Sequence, residues 1–424
     1  MISIHDALER MLPCFEPRGA VRVPLDRALG RFAAEEVVAR ESSPPFDNSA
    51  MDGYAVRARD VAAATEDAPV RLPVIGESRA GGPPPPPLAE GTAQRIFTGA
   101  PLPPGADAVV MQESTERNGN QVGIRAPAAS GAHVRHAGED LRAGEVMLPR
   151  GSAVGPGEVG LLASQRYAHL SIHRPPRVAI LSTGDELRDI ADPPEPGTIV
   201  DSNAHALAAQ VREAGGEPVV LPRAPDAPQA IATQVREGLQ TDVLLSCGGV
   251  SVGAHDHVHE AFEASGVRMG FWKVAIKPGK PLTFGRAGAV PVVGLPGNPV
   301  SAMVTFEVLV RPGLRRMLGD PRPHPTPLRV VLAAGARHKP GRTELLRCRL
   351  TPRGGQWSAA PSTRQGSGAL PSMVGAEALV VVPSHRGDVE AGEPLWALPL
   401  VGRLGGVTSP FAPGGPLDER SPDR

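Results

Sequence analysis

The stretch that decides the fold lies between Leu245 and Ser301 and contains three short motifs separated by strand and helix patterns. The motifs read SCGGVSVG at 246–253, KPGKP at 277–281 and GLPGNPVS at 294–301. Glycines at the end of a strand let backbone N–H groups approach a phosphate closely, and the positive end of a following helix dipole points at the same place. The three motifs together therefore predict a site for a multiply charged anion.

Regular alternation of strand and helix patterns extends from these motifs in both directions. Strands are expected at 178–181, 219–221, 243–246 and 292–294, and helices at 202–214, 228–239 and from about 299 to 318. Apolar strands that alternate with helices predict a doubly wound parallel sheet with both faces covered. Ligands bind such sheets beyond the carboxyl ends of the strands.

Polar residues follow several of these strands at that point. The run Thr183–Glu186 follows the first strand, Asp226 follows the second, and 248–253 with Asp256 follows the third. Repeated placement at one edge of a sheet favours a site over packing, which makes Asp185, Glu186, Asp226 and Asp256 the candidate acids of the site. For Asp226 a second interpretation stays open, because Asp is also a preferred N-cap for the helix that starts near Pro228.

Two lysines distinguish the second motif from a structural turn. Lys277 and Lys280 stand in a rigid Pro-Gly context, which can aim fixed cations at an anion. A solvated surface hairpin is the alternative for this segment. The neighbouring anion-type loops favour the first interpretation.

Outside the alternating region the pattern changes. Residues 1 to about 42 predict two amphipathic helices, the second from Leu25 to Ala39, and short β runs follow until about Glu145. A helix resumes at Val154–Ser164, and β runs return after Pro327. The predicted fold class is α/β multidomain, with these parts: a helical N-terminal domain (1–44 plus 147–176), an inserted β domain (45–146), a central doubly wound parallel-sheet domain (177–327), a C-terminal β-barrel-like domain (328–404) and a disordered tail (405–424).

Composition narrows the function further. A net charge of −1 does not indicate a basic surface for nucleic acid or for an anionic membrane. The sequence has no run of about 18 apolar residues, so no membrane span is predicted. The three cysteines, Cys14, Cys247 and Cys348, are far apart, which excludes a disulfide framework and a thiolate zinc site. The N-terminus lacks the pattern of a signal peptide. We expect a cytoplasmic protein with a small-molecule substrate.

Several longer motifs resemble one family. The segment SPPFDNSAMDGYAVR at 43–57 is too specific for a generic turn, and LSTGDEL at 181–187 joins it with the three motifs above. In this order they closely resemble molybdopterin molybdenumtransferases, a family that includes bacterial cofactor-biosynthesis enzymes and the E domain of gephyrin. The resemblance covers residues 1 to about 402.

The resemblance implies a four-domain homodimer that binds adenylyl-molybdopterin and molybdate. Such an enzyme receives the adenylate from molybdopterin adenylyltransferase as its upstream partner. With Mg²⁺ as cofactor it inserts molybdenum at the dithiolene sulfurs and releases AMP. This chemistry agrees with the residues, because a pyrophosphate needs a backbone cradle and Mg²⁺, while molybdate needs cationic and hydroxyl donors.

The resemblance also implies roles for individual residues. Asp52 and Thr98 would reach the active site from the other subunit, with Asp140 a weaker third, although Asp-Gly and Thr-Gly pairs are also common in turns. The predicted catalytic residues are Asp52, Thr98, Asp185, Glu186 and Asp226, of which Asp185, Glu186 and Asp226 would hold Mg²⁺. The predicted substrate-binding residues are Gly248, Gly249, Ser251, Gly253, Asp256, Lys277, Lys280, Pro296, Pro299, Ser301, Arg347 and Ser367. Arg342 and Arg349 are alternatives to Arg347.

Two other functions stay open at this point. The chain could adenylylate molybdopterin, because the enzyme of the preceding step shares the central α/β domain but lacks the flanking domains. It could also be a non-catalytic scaffold. One departure from the family is a run of alternating histidines, His255, His257 and His259, where a lysine is expected at 259. Their spacing of two residues at the start of a helix does not bring three imidazoles to one zinc ion.

Overall fold

The computed structural model describes residues 1–248, 257–353 and 355–400. The predicted tail, 405–424, lies outside them. The described chain forms two compact units. The first, here called the α/β unit, comprises Met1–Val23, Gly30–Ala34 and the chain from Ser171 onward, and the second, the inserted unit, comprises Pro24–Leu29 and Glu35–Leu170.

The elements of regular structure are as follows. The α-helices are α1 (Ile4–Met11), α2 (Pro156–Ser164), α3 (Ser202–Glu213), α4 (Pro228–Gly238), α5 (His257–Ala264), α6 (Pro299–Thr305) and α7 (Arg311–Met317). The strands are β1 (Ala20–Pro24), β2 (Val37–Val38), β3 (Asn48–Ser49), β4 (Gly53–Val56), β5 (Val70–Ser78), β6 (Ala93–Ile96), β7 (Ala108–Met111), β8 (Thr115–Asn118), β9 (Gln121–Ile124), β10 (Val134–Arg135), β11 (Val146–Leu148), β12 (His169–His173), β13 (Arg177–Ser182), β14 (Leu187–Arg188), β15 (Ile199–Val200), β16 (Glu217–Val220), β17 (Val243–Cys247), β18 (Arg268–Trp272), β19 (Ile276–Lys277), β20 (Thr283–Ala287), β21 (Val290–Leu295), β22 (Leu328–Leu332), β23 (Thr343–Arg353), β24 (Gln356–Pro361), β25 (Ala378–Val382) and β26 (Pro394–Pro399).

The central sheet of the α/β unit has the strand order β16-β13-β17-β21-β20-β18. The first four strands are parallel to one another, as the sequence predicts. Strand β20 is antiparallel to β21, and the edge strand β18 is antiparallel to β20, so the sheet is mixed. Only residues 273–282 join β18 to β20, which is too short for the helical crossover that a parallel pair needs.

Helices cover both faces of this sheet. Ile180 of β13 packs into a buried cluster with Leu207 of α3, whereas the next residue, Leu181, belongs to a second cluster with Ile231 of α4. Successive side chains of a strand point to opposite faces, so one apolar strand supplies both clusters. The doubly wound arrangement is therefore confirmed.

A continuous helical path follows β21, in agreement with the helix predicted from about Pro299 to Leu318. The π-helix Phe306–Val310 joins α6 to α7 within it. Arg311, directly after the π-helix, is buried and pairs with two carboxylates, at 2.6 Å from Glu307 and 2.5 Å from Glu213.

None of the described helices has both the length and the apolarity that crossing a bilayer requires.

The C-terminal part of the α/β unit is a closed barrel. Its strand order is β23-β24-β22-β26-β25, and β23 also pairs with β25, which closes the ring. The short strand β19 adds to β23 from outside, in parallel. The predicted barrel-like domain is confirmed.

The inserted unit contains the predicted β structure, but one predicted helix is wrong. Its main sheet has the order β7-β4-β6-β5-β9-β8. Within the expected helix Leu25–Ala39, only Leu25–Arg27 forms a 3-10 turn, and Val37–Val38 is the strand β2. The β-branched pair Val37–Val38 gains partners in β11, so strand pairing outweighs the amphipathic pattern.

Candidate functional site

A cavity of about 940 Å³ lies at the carboxyl ends of the parallel strands, where the sequence predicts a site. The loop after each of β13, β17 and β21 contributes to its wall, as does the loop that leads into α4. The predicted site residues that line it are Glu186, Asp226, Gly248, Pro296 and Pro299. The structure thus brings together residues that lie up to 113 positions apart in sequence, from Glu186 to Pro299.

The loops of the cavity wall pack backbone against backbone. Gly248 has φ +94°, and a Cβ there would stand 2.8 Å from the carbonyl oxygen of Thr183. A Cβ on Gly297 would stand 3.5 Å from the Cα of Gly248. Gly248 therefore has a structural reason to be glycine, because both its conformation and its surroundings disfavour a side chain.

The three predicted metal ligands occupy adjoining positions. Glu186 and Asp226 line the main cavity, while Asp185 lines a second cavity of about 560 Å³. Asp185 Oδ1 accepts a hydrogen bond of 3.1 Å from the backbone N–H of Asp226 and so fixes the loop that carries Asp226. Ala227, and not Asp226, is the N-cap of α4, so the capping role considered for Asp226 is wrong.

The cavity also has a polar residue that the sequence reasoning missed, Asn203. Asn203 Nδ2 donates a 2.7 Å hydrogen bond to the carbonyl of Gly297. The Asn203 Oδ1 and the Thr183 Oγ1 are buried and have no hydrogen-bond partner within the described part of the chain. Buried polar groups without partners cost free energy, which is typical of groups that a ligand satisfies. The available signal was the run Asp201-Ser202-Asn203 at the start of α3.

Cys247 at the end of β17 is not a nucleophile. Its thiol lies 3.3 Å from the carbonyl oxygen of Pro296, and burial raises its pKa to about 12. The thiol is therefore protonated at neutral pH and donates to that carbonyl. This contact joins the end of β17 to the loop after β21.

Residues predicted to bind molybdate lie on three segments near the cavity. Lys280 is exposed, Ser301 is buried in α6, and the Ser367 Oγ accepts a 3.1 Å hydrogen bond from Asn298 Nδ2. The backbone N–H of Val300 also donates to the carbonyl of Ser367 at 3.1 Å. These bonds place Ser367 beside the loop that carries Pro296 and Pro299. Lys277 Nζ lies 2.9 Å from each carboxylate oxygen of Glu344.

Arg347 of β23 is buried on the face of the strand opposite the barrel core, where its guanidinium holds a loop. It donates to the Ser372 Oγ at 3.2 Å and to the carbonyls of Gly366 at 3.2 Å and Arg364 at 3.4 Å. Burial lowers the pKa of this guanidinium. Its contacts shape the segment that leads to Ser367, and direct binding of an anion by Arg347 stays a prediction.

The glycine-rich motif and the histidines that follow it contain several of the residues singled out in the sequence. Gly249, Ser251, Gly253 and Asp256 lie outside the described residues, as does His255. His257 lines the cavity, and His259 Nε2 on α5 lies 3.3 Å from the Glu263 carboxylate one turn further along. Among the described residues, no group of three or more His, Cys, Asp or Glu side chains is placed to hold a metal ion.

The predicted pair Asp52 and Thr98 lies in the inserted unit. Asp52 Oδ1 accepts hydrogen bonds from the backbone N–H of Thr98 at 2.8 Å and from its hydroxyl at 2.9 Å. The backbone bond, followed by the hydroxyl bond, lowers the pKa of Asp52. Asp52 is therefore ionised at neutral pH. The weaker candidate Asp140 pairs with Arg135 at 2.6 Å.

Family models match most of the chain. The "MoeA N-terminal region (domain I and II)" matches residues 2–165, the "Probable molybdopterin binding domain" matches 179–316, and the "MoeA C-terminal region (domain IV)" matches 329–400. The matches follow one another in the order of the sequence motifs.

Individual relatives cover nearly the same span. A molybdopterin molybdenumtransferase 2 of Mycobacterium tuberculosis is 40% identical over 381 residues, which is 88% of this chain and 94% of that protein. A molybdopterin molybdenumtransferase of Bacillus subtilis is 36% identical over 403 residues, or 94% of each chain. The crystal structure of a molybdopterin biosynthesis moea protein from Pyrococcus horikosii superposes with a TM-score of 0.83 at 32% identity, covering 96% of this chain and 100% of that one.

Proposed function

The chain belongs to the molybdopterin molybdenumtransferase family, whose members are transferases of molybdenum cofactor biosynthesis, and we propose that it inserts molybdenum from molybdate into adenylyl-molybdopterin with release of AMP. One observation carries this proposal. The cavity at the strand ends combines backbone loops suited to a pyrophosphate with the carboxylates of Glu186 and Asp226. A substrate with a phosphoanhydride needs both features.

Mg²⁺ is the proposed cofactor. The ion favours oxygen ligands, takes one or two protein carboxylates and completes its shell with water and substrate phosphates. Glu186 and Asp226, which line the cavity, fit this donor set and would hold it, and Asp185 would act by fixing the loop of Asp226. Bound there, Mg²⁺ would neutralise charge on the phosphate oxygens.

The adenylate and molybdate would occupy neighbouring parts of the same rim. Gly248, Thr183 and Asn203 line the cavity, where a ligand O–H or N–H could donate to the amide oxygen of Asn203 and a phosphate oxygen could accept from the Thr183 hydroxyl. Molybdate is proposed to bind beside Ser301, Ser367 and the lysines of the KPGKP motif. Hydroxyls and ammonium groups are donors, which an oxyanion requires.

The partners are proposed from the same relationship. We propose a homodimer in which Asp52 and Thr98 of one subunit complete the site of the other, and a molybdopterin adenylyltransferase as the upstream supplier. We also propose that the protein acts in the cytoplasm. The ionised carboxylate of Asp52, held by two hydrogen bonds from Thr98, suits a role in binding a cation or a donor. Sedimentation of the purified protein tests the dimer.

Adenylylation of molybdopterin is the alternative activity. The matches to the N-terminal and C-terminal family models favour molybdenum transfer, because these regions flank the domain that the two activities share. A nucleotide balance decides between them. Molybdenum transfer predicts that AMP appears when molybdate is added to the adenylate, without consumption of ATP, whereas product formation that consumes ATP would contradict it and favour the adenylyltransferase.

Substitution of Gly248 by alanine should lower the rate of AMP release about a hundredfold, because misplacement of a site by about 1 Å has effects of this size. The new Cβ would lie 2.8 Å from the carbonyl oxygen of Thr183 and would force the loop away from the cavity. Initial rates at saturating molybdate provide the measurement. Gly266→Ala is the control, since Gly266 also has a positive φ but an open surrounding, and it should keep a rate near that of the wild type.

A lysine in place of His259 should leave the rate of AMP release within about twofold of the wild type, as expected for a surface exchange. A lysine at this position can form the same pair with Glu263 across one turn of α5. The comparison uses initial rates of the two proteins. Complete loss of turnover in His259→Lys would show that the imidazole has a role that lysine cannot replace.

A further inference from the structure

Three polar side chains, one of them from the KPGKP motif, are linked in series. His338 Nδ1 lies 2.8 Å from Glu344 Oε2, and the two oxygens of Glu344 each lie 2.9 Å from Lys277 Nζ. A carboxylate oxygen only accepts hydrogen bonds, so Nδ1 carries a proton and donates it to Glu344. The imidazole thus anchors the carboxylate, and the carboxylate anchors the ammonium group.

The backbone holds the same three residues in place. Strand β19 pairs in parallel with β23, which sets Lys277 opposite Glu344. The backbone N–H of His338 donates to Asp388 Oδ1 at 2.7 Å. The side chains of His338 and Glu344 are 0% and 6% exposed, whereas that of Lys277 is 40% exposed. Of these three side chains, only that of Lys277 is therefore substantially exposed to solvent.

The KPGKP motif connects these three side chains to the cavity. Four residues after Lys277, Pro281 lines the cavity wall. Between them Gly279 packs so closely on α6 that a Cβ would stand 2.2 Å from Thr305 Cγ2 and 3.7 Å from the carbonyl oxygen of Ser301. The backbone of the motif is therefore fixed against α6, and the ammonium group at the end of the Lys277 side chain contacts Glu344.

We propose that Glu344 and His338 are positioning residues that hold the ammonium group of Lys277 for molybdate. The inference rests on the proposed function. An ammonium group has three N–H donors, and Glu344 accepts from it with two oxygens, which leaves a donor for the oxyanion. A lysine stem is flexible, and fixing it in advance removes an ordering cost from binding.

The sign of the effect separates positioning from simple electrostatics. Glu344 is negative, so removal of its charge alone would reduce repulsion of a dianion and tighten molybdate binding. Loss of positioning has the opposite effect, because the ammonium group then loses its fixed direction. The Glu344→Gln variant keeps the size of the side chain and distinguishes the two.

The test is equilibrium dialysis of the full chain against molybdate, followed by atomic spectroscopy of bound molybdenum. Glu344→Gln should weaken binding about tenfold, within the usual range of coupling between contacting residues, and should have no further effect in a Lys277→Met background. His338→Ala should weaken binding similarly, whereas His338→Asn, whose amide can replace the Nδ1 donor, should restore it. Glu393→Gln, which removes the carboxylate of the Arg386 pair on the same barrel, is the control and should bind like the wild type.

Other outcomes would overturn the positioning role. Binding by Glu344→Gln that equals or exceeds that of the wild type would do so, as would additive losses in the double variant. If these results accompany molybdate-dependent AMP release by the wild-type chain, only the positioning role is wrong. A wild-type chain that neither binds molybdate nor releases AMP would contradict the proposed function as well.

Discussion

Replacement of Asp226 by asparagine is expected to lower kcat for AMP release about a thousandfold, within the range for loss of an essential acid, base or metal-binding carboxylate. Asp226 and Glu186 line the cavity, and asparagine keeps the size of the side chain while removing its charge. The backbone N–H of Asp226, which Asp185 accepts, is unchanged by the substitution. The loop should therefore keep its conformation, and the loss should fall on kcat. Steady-state rates with saturating adenylate and molybdate measure it.

The matched control for this variant is Glu237→Gln. Glu237 is an exposed carboxylate near the far end of α4, the helix that begins just after Asp226. Its substitution removes the same charge from the same domain and should leave kcat within about twofold, as for most surface changes. Equal kcat values for Asp226→Asn and the wild type would show that Asp226 has no part in the reaction.

Replacement of Arg311 by methionine should lower the free energy of unfolding by about 3 kcal/mol, as expected when one partner of a buried ion pair is removed. Arg311 is 4% exposed and contacts Glu307, which is 10% exposed, and Glu213, which is 33% exposed. Methionine fills much of the volume but leaves both carboxylates without their cation. Denaturant unfolding measures the change.

The Arg311→Met variant should also affect activity. Arg311 stands on the helical path that begins at Pro299 in the cavity wall, so its loss should also reduce activity at temperatures where the variant begins to unfold. Arg236→Met, at an exposed position near the end of α4, should change stability by less than about 0.5 kcal/mol. Similar losses for the two variants would contradict a special role of the buried network.

The sequence was sufficient to predict the sheet and most of the cavity. Apolar strands alternating with helices define a doubly wound sheet, and the ends of parallel strands must meet at one edge, which brought Glu186, Asp226, Gly248 and Pro296 together as expected. The antiparallel strands β20 and β18, at one side of the sheet, were not predicted. The apolar pattern of these strands is short. The direction in which they pair depends on the path of the segment between them, which is known only once the chain is folded.

Side-chain partners were the part that could not be predicted. The sequence places lysine, glutamate and histidine at 277, 344 and 338, but only folding shows that the barrel strand β23 sets Glu344 beside Lys277. Arg347 is a similar case, because a charged residue in a β run is expected to be exposed, yet the residue is buried and the carbonyls of a loop satisfy its guanidinium. Local patterns carry no information on such distant partners.

The most direct test of molybdenum transfer measures AMP and product molybdenum in one reaction. Purified protein is mixed with adenylyl-molybdopterin, Mg²⁺ and molybdate, and the released AMP is compared with the molybdenum recovered in the pterin product, with each component omitted in turn. The proposed function predicts equal amounts of the two, and neither without molybdate. Release of AMP with no molybdenum in the pterin, or an adenylate that binds and is never cleaved, would contradict it.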